Sequence, residues 1–318
     1  MSGPSDLAQV IAAFPQAAPP PEIPKPIAAR EFLRMTLPPR ELLLAPWLPA
    51  KGLTMIAGPR GLGKTHLALG VACAVARGGR FLKWQAPKPQ PVLYVDGEMP
   101  AGALQERLAR NIAAADVNDT ANENFALLAS DQCGFGLPDL ATPEGQAALR
   151  PTLEPFALIV FDNLSSLCRS GRENEAESWA PMQAWALELR RAGKAVLFIH
   201  HTGKGGAQRG TSKREDVLDS VLLLKRPEDY DASQGARFIG QFDKARGFYG
   251  SDAESFEAAL GGDGAWTVKG VTADRDAEVR EMLEQGFSAD DIARDLGIHR
   301  STVFRIKQRS QTVNGHGD

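Results

Sequence analysis

The stretch GPRGLGKTH, residues 58–66, places three glycines and a proline directly before a lysine, a threonine and a long apolar helical pattern. The apolar run LTMIA at residues 53–57 precedes it and has the composition of a buried strand. The stretch matches G-x-x-x-x-G-K-[ST], and a strand before it with a helix after it is the context in which this pattern forms a phosphate-binding loop. The sequence therefore predicts such a loop at residues 58–66.

The residue types of this loop fit the phosphates of ATP. Glycines let the backbone turn its N–H groups toward phosphate oxygens, and the N-terminus of the following helix adds its dipole. Lys64 is predicted to reach the β- and γ-phosphates, and the Thr65 hydroxyl to hold Mg²⁺. ATP and Mg²⁺ are thus the predicted cofactors. The predicted nucleotide-binding residues are Gly58, Pro59, Arg60, Gly61, Leu62, Gly63, Lys64, Thr65 and His66.

Strands alternate with helices beyond the loop. Further apolar runs are predicted as strands at residues 92–96, 158–162, 195–200 and 220–225, and helices are predicted at residues 65–77, 103–115 and 176–192. Continuous apolar runs of this length are typical of parallel strands covered on both faces. After residue 226, short segments separated by turns indicate an antiparallel meander. The predicted fold class is α/β, with a mostly parallel, twisted sheet and an antiparallel edge.

Asp162 ends the apolar strand ALIVFD. A carboxylate at this end of such a strand is the Walker B group, which holds the magnesium ion together with the loop threonine. The alternative is an aspartate that caps a turn or a helix. The sequence favours Asp162 as the second magnesium residue.

Several segments together resemble the RecA-superfamily ATPases of the plasmid RepA and DnaB helicase type. These segments are the loop and its helix, VLYVDGEMPAGALQERLA, LIVFDNLSSL, VLFIHHTGKGG and FDKARGFYG, and the resemblance covers residues 38–260. Asn163 follows Asp162, so the glutamate that the AAA+ pattern places there is absent. This departure favours the RecA-like pattern.

The resemblance implies two further catalytic residues. In RecA-like ATPases the water-activating glutamate follows the strand after the phosphate-loop helix, which is the position of Glu98, with Asp96 as the alternative. A polar γ-phosphate sensor ends a later strand, where His200 and His201 stand. Adjacent strand residues point to opposite faces, so at most one of them faces the nucleotide, and His200 is preferred.

DnaB-type enzymes present a K-x-R pair from one subunit to the nucleotide of the next. Lys244 and Arg246 in DKARG stand at the matching position, which implies an arginine finger in trans and a ring, expected to be a hexamer. The alternative is a solvated basic strand end.

The glycine-rich loop at residues 201–216 follows the fourth predicted strand. In RecA-like rings this loop faces the central pore, so its basic residues are expected to contact the backbone of single-stranded DNA. The alternative is a solvated surface loop, and no aromatic residue is interleaved for base stacking. The basic residues are Lys204, Arg209, Lys213 and Arg214.

The segment SADDIARDLGIHRSTVFRIKQRS, residues 288–310, reads as a helix-turn-helix that resembles those of resolvases and transposases. Ser288 is predicted to cap its first helix with Asp291 three residues on, and Gly297 to permit the turn. A protein-interaction module is the alternative. The residues expected to meet duplex DNA are Arg300, Ser301, Thr302 and Arg305.

The sequence predicts four parts. They are a Pro/Ala-rich disordered arm at residues 1–30, a RecA-like ATPase domain at 31–270, a small all-α helix-turn-helix domain at 271–311 and a disordered tail at 312–318. The net charge of −3 requires any nucleic-acid surface to be a local patch. Three widely spaced cysteines fit a reducing compartment, and neither a secretory signal nor a membrane span is predicted, so the expected location is the cytoplasm.

These features predict an ATP-hydrolysing, DNA-acting motor of the RepA or DnaB type that replicates a mobile element. Two alternatives remain open. One is a DNA-binding regulator in which ATP switches oligomerisation without unwinding, and the other is a RecA-like recombination or repair ATPase.

Overall fold

The structure, a computed structural model, describes residues 25–114, 123–170, 175–202, 216–296 and 298–313. The chain divides into two units, residues 1–39 and residues 40–318. In the first unit the described residues include one short helix, α1 (Ala29–Phe32), none of whose residues is buried. The arm predicted at residues 1–30 lies mostly outside the described residues, as does the tail after Val313.

The described part of the second unit contains thirteen strands. They are β1 (Leu42–Leu44), β2 (Leu48–Pro49), β3 (Leu53–Gly58), β4 (Arg80–Phe81), β5 (Trp84–Gln85), β6 (Val92–Asp96), β7 (Phe125–Ala129), β8 (Leu158–Asp162), β9 (Ala195–His201), β10 (Ser220–Lys225), β11 (Arg237–Ala245), β12 (Phe256–Leu260) and β13 (Trp266–Gly270). Nine of them form one sheet in the order β13-β12-β11-β10-β3-β9-β8-β6-β7.

The helices of this unit, within the same described ranges, pack on the sheet or follow it. They are α2 (Lys64–Arg77), α3 (Ala101–Ala114), α4 (Pro143–Leu153), α5 (Leu164–Leu167), α6 (Glu175–Arg191), α7 (Val271–Glu284), α8 (Ala289–Asp295) and α9 (Arg300–Val313). Three short 3₁₀ turns complete the set, at Ser130–Gln132, Ala232–Gln234 and Gly250–Ala253.

The sheet confirms the predicted fold class. The six strands β10, β3, β9, β8, β6 and β7 are parallel, and β11, β12 and β13 continue the sheet as an antiparallel edge. Since parallel strands all end on the same side, the loops after β3, β6, β8 and β9 lie together at one edge, which we call the C-terminal edge. The opposite side, where β3, β9 and β10 begin, is called the basal edge.

All five predicted parallel strands are present, and β6, β8 and β10 have the predicted bounds. The sixth parallel strand, β7, was not predicted; it pairs with β6 at the margin of the sheet. Its first four residues are only half-buried, so its burial lacks the continuous pattern that marks the inner strands.

Apolar side chains cover both faces of the sheet. In β3, Ile56 packs into one hydrophobic cluster, while Met55 and Ala57 pack into the other. Helix α2 is buried along most of its length, and Gly70 within it lies so close to Phe81 that an added Cβ would be 2.1 Å from the ring. This packing fixes the helix, and with it the loop that precedes the helix.

The final three helices form the predicted helix-turn-helix arrangement. Their small core consists of Val279, Ile292, Val303 and Ile306. The Ser288 hydroxyl accepts the Asp291 backbone N–H at 3.2 Å, so the predicted cap is confirmed, whereas Gly297 lies outside the described residues. Helix α7 begins at Val271, directly after β13. The predicted domain boundaries themselves stay predictions.

None of the helices in the described ranges is long and apolar enough to cross a membrane.

Candidate nucleotide-binding and hydrolysis site

A cavity of about 500 Å³ opens at the C-terminal edge. Six residues of the predicted phosphate loop line it, together with Glu98 after β6 and the last residues of β6, β8 and β9. The lining residues are Arg60, Gly61, Gly63, Lys64, Thr65, His66, Asp96, Glu98, Met99, Pro100, Arg107, Asp162, Asn163, His201, Gly235 and Ala236. Of the other predicted loop residues, Leu62 is buried, and the carbonyl oxygens of Gly58 and Pro59 face Lys64.

The loop needs glycine for both conformation and space. Gly61 and Gly63 have φ angles of 76° and 90°, which side-chain-bearing residues rarely adopt. A Cβ on Gly63 would also lie 2.5 Å from the Cβ of Ala236. The backbone can therefore curve around an anion only with glycine at these positions.

Lys64 lies at the base of the cavity and is 4% exposed. Its Nζ donates to the carbonyl oxygens of Gly58 at 2.8 Å and Pro59 at 2.6 Å. Burial lowers the pKa of the ammonium to about 8, although nearby Asp162 and Glu98 act in the opposite direction. The lysine is thus aimed into the loop, where phosphate oxygens could replace the carbonyls as its partners.

Thr65 and Asp162 are in direct contact, as expected for two residues that share a magnesium ion. The Thr65 hydroxyl donates to Asp162 Oδ2 at 2.7 Å, and the Tyr94 hydroxyl donates to the same oxygen at 2.6 Å. Burial raises the pKa of Asp162, and these two hydrogen bonds oppose that rise. A hydroxyl and a carboxylate beside a phosphate loop are hard oxygen donors, so the residues present fit Mg²⁺.

Glu98 stands at the cavity mouth with 67% of its side chain exposed. Its carboxylate accepts a hydrogen bond from the side-chain amide of Asn163, and Oε2 lies 3.8 Å from His201 Nε2. Asn163 is itself fixed, because its Oδ1 accepts the backbone N–H of Ser166 as the cap of α5. The residue that replaces the AAA+ glutamate therefore orients Glu98.

Asp96 has a different role from Glu98. It lies opposite Asp162 in the sheet, and its Oδ1 accepts the backbone N–H groups of Glu98 at 2.9 Å and Met99 at 2.6 Å. Burial raises the pKa of Asp96 to about 6 despite these hydrogen bonds. Asp96 thus fixes the backbone that carries Glu98, and Glu98 keeps the more accessible carboxylate.

This raised pKa gives a stability prediction. The folded state favours protonated Asp96, so its ionisation lowers the free energy of unfolding progressively between about pH 4 and pH 6. Asp96→Asn keeps the Oδ1 acceptor and removes the charge. We expect the variant to be more stable than the wild type at pH 7.5 by about 1–3 kcal/mol, with the gain shrinking toward pH 5. Urea unfolding at both pH values measures it.

Asp139→Asn is a control variant for which the opposite change in stability is expected. Burial opposes the shift, but hydrogen bonds from Ser170, Ala141 and Arg169 hold the pKa of Asp139 below its usual value. Asp139→Asn should therefore be less stable than the wild type at pH 7.5. An Asp96→Asn variant that also lost stability at pH 7.5 would contradict the electrostatic account.

Of the two histidines that end β9, His201 lines the cavity, whereas His200 was the one predicted from the sequence. His201 pairs with Gly58 across the sheet and faces Glu98, while alternation puts the buried His200 on the opposite face. Burial lowers the pKa of His201, and Lys64 adds to this effect. The geometry therefore favours a neutral His201 over His200 as the histidine at the cavity.

Arg107 is a cavity residue that the sequence analysis did not predict. It lies on α3 and lines the cavity together with Pro100 and His66. Burial, together with the nearby charges of Arg107 and Arg110, lowers the pKa of His66 to about 4. Nothing in the local sequence distinguishes Arg107 from other helix-surface arginines, because only the packing of α3 beside α2 brings it to the site.

Lys244 and Arg246 lie far from this cavity in their own chain. Ala236, directly before β11, lines the cavity, and Lys244 stands eight residues further along the chain, roughly 26 Å away. Both side chains donate to the Asp216 carbonyl oxygen, Lys244 at 3.3 Å and Arg246 at 3.0 Å. The predicted DNA-contacting loop residues Lys204, Arg209, Lys213 and Arg214 lie outside the described residues.

The predicted duplex-contacting residues begin helix α9. Arg300 pairs with Asp290 at 3.1 Å and lies over the Phe304 ring, and the Ser301 hydroxyl is 2.7 Å from His299 Nδ1. Arg305 is exposed, whereas Thr302 is partly buried. Arg305 therefore projects from the helix, while Arg300 and Ser301 are engaged within the unit.

Two family models match parts of this chain. Residues 17–207 match the AAA domain family, and residues 278–317 match the homeodomain-like domain family. The first match covers more than half of the chain, so this protein belongs to the AAA domain family. The chain combines an AAA domain of RecA-like fold with a C-terminal homeodomain-like helix-turn-helix.

Individual relatives are distant. DNA repair protein RadA of Mycobacterium tuberculosis is 27% identical over 174 residues, which cover 54% of this chain and 31% of RadA, so the match spans about a third of that relative. A KaiC-like protein of Pyrococcus horikoshii OT3 superposes with a TM-score of 0.50 at 16% identity, over 71% of this chain and 93% of that one. This likeness shows the fold alone. The RadB recombinase gives a TM-score of 0.47 at 17% identity, over 71% and 92% of the two chains.

Proposed function

We propose that this protein is an oligomeric, DNA-acting ATPase that works as a replicative helicase of the RepA or DnaB type on a mobile element. The observation that carries the proposal is the convergence of Lys64, Thr65 and Asp162 at one cavity, with Glu98 at its mouth. This arrangement supports hydrolysis as well as binding of ATP. The helix-turn-helix supports DNA as the target.

Each of these cavity residues has a separate role in ATP hydrolysis. The glycine loop and Lys64 hold the β- and γ-phosphates, and Thr65 and Asp162 would hold Mg²⁺, which neutralises charge on the phosphate oxygens. Glu98, held by Asn163, orients the attacking water and takes its proton. His201, whose Nε2 lies 3.8 Å from Glu98 Oε2, would be the γ-phosphate sensor.

A second subunit completes the site. The Arg246 side chain cannot reach the nucleotide of its own chain, because the length of β11 separates it from the cavity by roughly 33 Å. A guanidinium at the γ-phosphate stabilises charge in the transition state, and here it must come from a neighbour. A head-to-tail arrangement of this kind forms a closed ring or a filament, and the resemblance to DnaB-type enzymes favours a hexamer.

The helix-turn-helix would hold the motor on duplex DNA. Arg305 is positioned to contact it, and the basic loop after β9 would contact single-stranded DNA in the pore.

A recombination or repair ATPase is the second candidate, favoured by the 27% identity to DNA repair protein RadA over 54% of this chain. Both candidates need the same hydrolytic site. They differ in what the energy does to DNA: a helicase separates strands, whereas a recombination ATPase pairs or exchanges them.

A strand-displacement assay on forked DNA tests the proposal. The full-length chain with ATP should release the labelled strand, and Lys64→Ala should release none because it cannot hold the phosphates. Strand pairing or exchange without release would favour the repair candidate. ATP hydrolysis with neither activity would favour the regulator that binds DNA without unwinding it.

A further inference from the structure

A buried carboxylate lies at the basal edge of the sheet, on the opposite side from the nucleotide cavity. Asp219 precedes β10 and is 4% exposed. Its Oδ2 accepts the backbone N–H of Leu53 at 3.0 Å, and its Oδ1 accepts Arg40 Nη2 at 2.7 Å. Arg190 approaches Oδ1 at 3.7 Å. Both oxygens are therefore engaged, as a buried carboxylate requires.

Asp219 and Arg40 each form a hydrogen bond with the backbone of Arg246. The Arg246 N–H donates to the Asp219 carbonyl oxygen at 2.9 Å. The Arg246 carbonyl oxygen accepts Arg40 Nη1 at 3.2 Å, so one guanidinium joins the Asp219 carboxylate to the Arg246 main chain. The planar fork of arginine has separate N–H donors for the two bonds.

The residue after Arg246 fits this close approach. Gly247 has a φ angle of 88°, and a Cβ at this position would lie 3.1 Å from Arg40 Nη1. The chain therefore turns directly beneath the Arg40 guanidinium as it leaves Arg246. The Arg40 guanidinium therefore lies beside both Arg246 and Gly247.

We propose that Arg40 and Asp219 are positioning residues for Arg246, which set the direction in which this arginine projects toward the nucleotide of a neighbouring subunit. The inference rests on the proposed arginine finger in trans. A finger projecting between subunits must be aimed accurately, because an error of about 1 Å at the reacting phosphate can cost about 10²-fold in rate. Asp219 also binds Leu53, the first residue of the strand that ends at the phosphate loop. Asp219 thereby connects the backbone of Arg246 to β3 through hydrogen bonds.

Arg40→Met is the test variant and Arg190→Met its matched control. Both arginines approach Asp219 and both are partly exposed, but of the two only Arg40 binds the backbone of Arg246. We expect Arg40→Met to lower the ATP turnover number about 10- to 100-fold, with little change in the KM for ATP. Arg190→Met should keep near wild-type turnover.

Mixed oligomers separate a defect in aiming the finger from a defect in the chain's own site. Arg40→Met and Lys64→Ala chains are co-expressed with different tags and purified through both tags. In such oligomers some Arg40→Met chains, whose own nucleotide sites are intact, lie next to a Lys64→Ala chain, whose Arg246 is still held by Arg40. Turnover at these sites should recover. Arg246→Ala mixed with Lys64→Ala serves as the reference for complementation in trans.

Wild-type turnover in Arg40→Met would overturn the positioning role. So would a loss that mixing does not restore while the Arg246→Ala reference is restored, because that pattern indicates a structural defect. If the Arg246→Ala reference itself is not restored, the finger in trans is wrong and this inference falls with it. The two failures are therefore distinguishable.

Discussion

Replacing Arg246 with alanine is expected to lower the ATP turnover number by about 10³–10⁵-fold, the range that loss of an arginine finger produces. The reason is chemical: the transition state concentrates charge on the γ-phosphate oxygens, and a guanidinium from the neighbour neutralises it. ATP affinity should change little, since Arg246 lies at the other end of β11 from its own cavity. Single-turnover and steady-state assays with a fluorescent nucleotide titration measure both quantities.

The fold should survive this substitution. The two backbone hydrogen bonds of Arg246, to Asp219 and from Arg40, do not involve its side chain, so alanine can retain them. Arg191→Ala is a suitable control, because Arg191 is another exposed arginine near the basal edge. Loss of ATP binding in Arg246→Ala, with turnover per bound nucleotide unchanged, would contradict the finger and indicate a structural role within the chain.

The sequence predicted the parallel core of the sheet well because burial on both faces leaves a continuous apolar run. The strands that end at Asp96, Asp162 and Lys225 have the predicted bounds for this reason. The marginal strand β7 is also a continuous apolar run, FALLA, but four of its five residues are only half-buried, and it joins the sheet through pairing with β6. An apolar run therefore does not by itself identify a strand at the margin of the sheet, where pairing with a neighbour decides.

The candidate site was only partly predictable for a related reason. Lys64 and Thr65 belong to one short motif, so their positions follow from local sequence. The contact of Tyr94 with Asp162 joins residues 68 positions apart and depends on the register of β6 against β8. Which of two adjacent histidines faces the cavity likewise depends on strand orientation, and the preference for His200 had no local signal to guide it.

Replacing Glu98 with glutamine is expected to lower the ATP turnover number by about 10²–10⁴-fold, the contribution typical of a general base. Glutamine has nearly the same shape and keeps an oxygen that can accept the Asn163 amide, but it cannot take a proton from water. Binding of ATP and ATP-dependent oligomerisation should persist, since Lys64, Thr65 and Asp162 are untouched. The variant should therefore accumulate in the ATP-bound state, which rapid-quench measurement of bound ATP and ADP detects.

The Asp96→Asn variant tests whether Glu98 or Asp96 is the general base. Its amide oxygen can still accept the N–H groups of Glu98 and Met99, so the backbone that carries Glu98 stays in place. If Glu98 is the base, Asp96→Asn retains much more turnover than Glu98→Gln, and Glu144→Gln, at the start of α4, behaves as the wild type. The reverse order, with Asp96→Asn inactive and Glu98→Gln active, would assign the base to Asp96. In that case the hydrogen bonds from the Glu98 and Met99 N–H groups would orient the general base directly, because Asp96 Oδ1 accepts both of them.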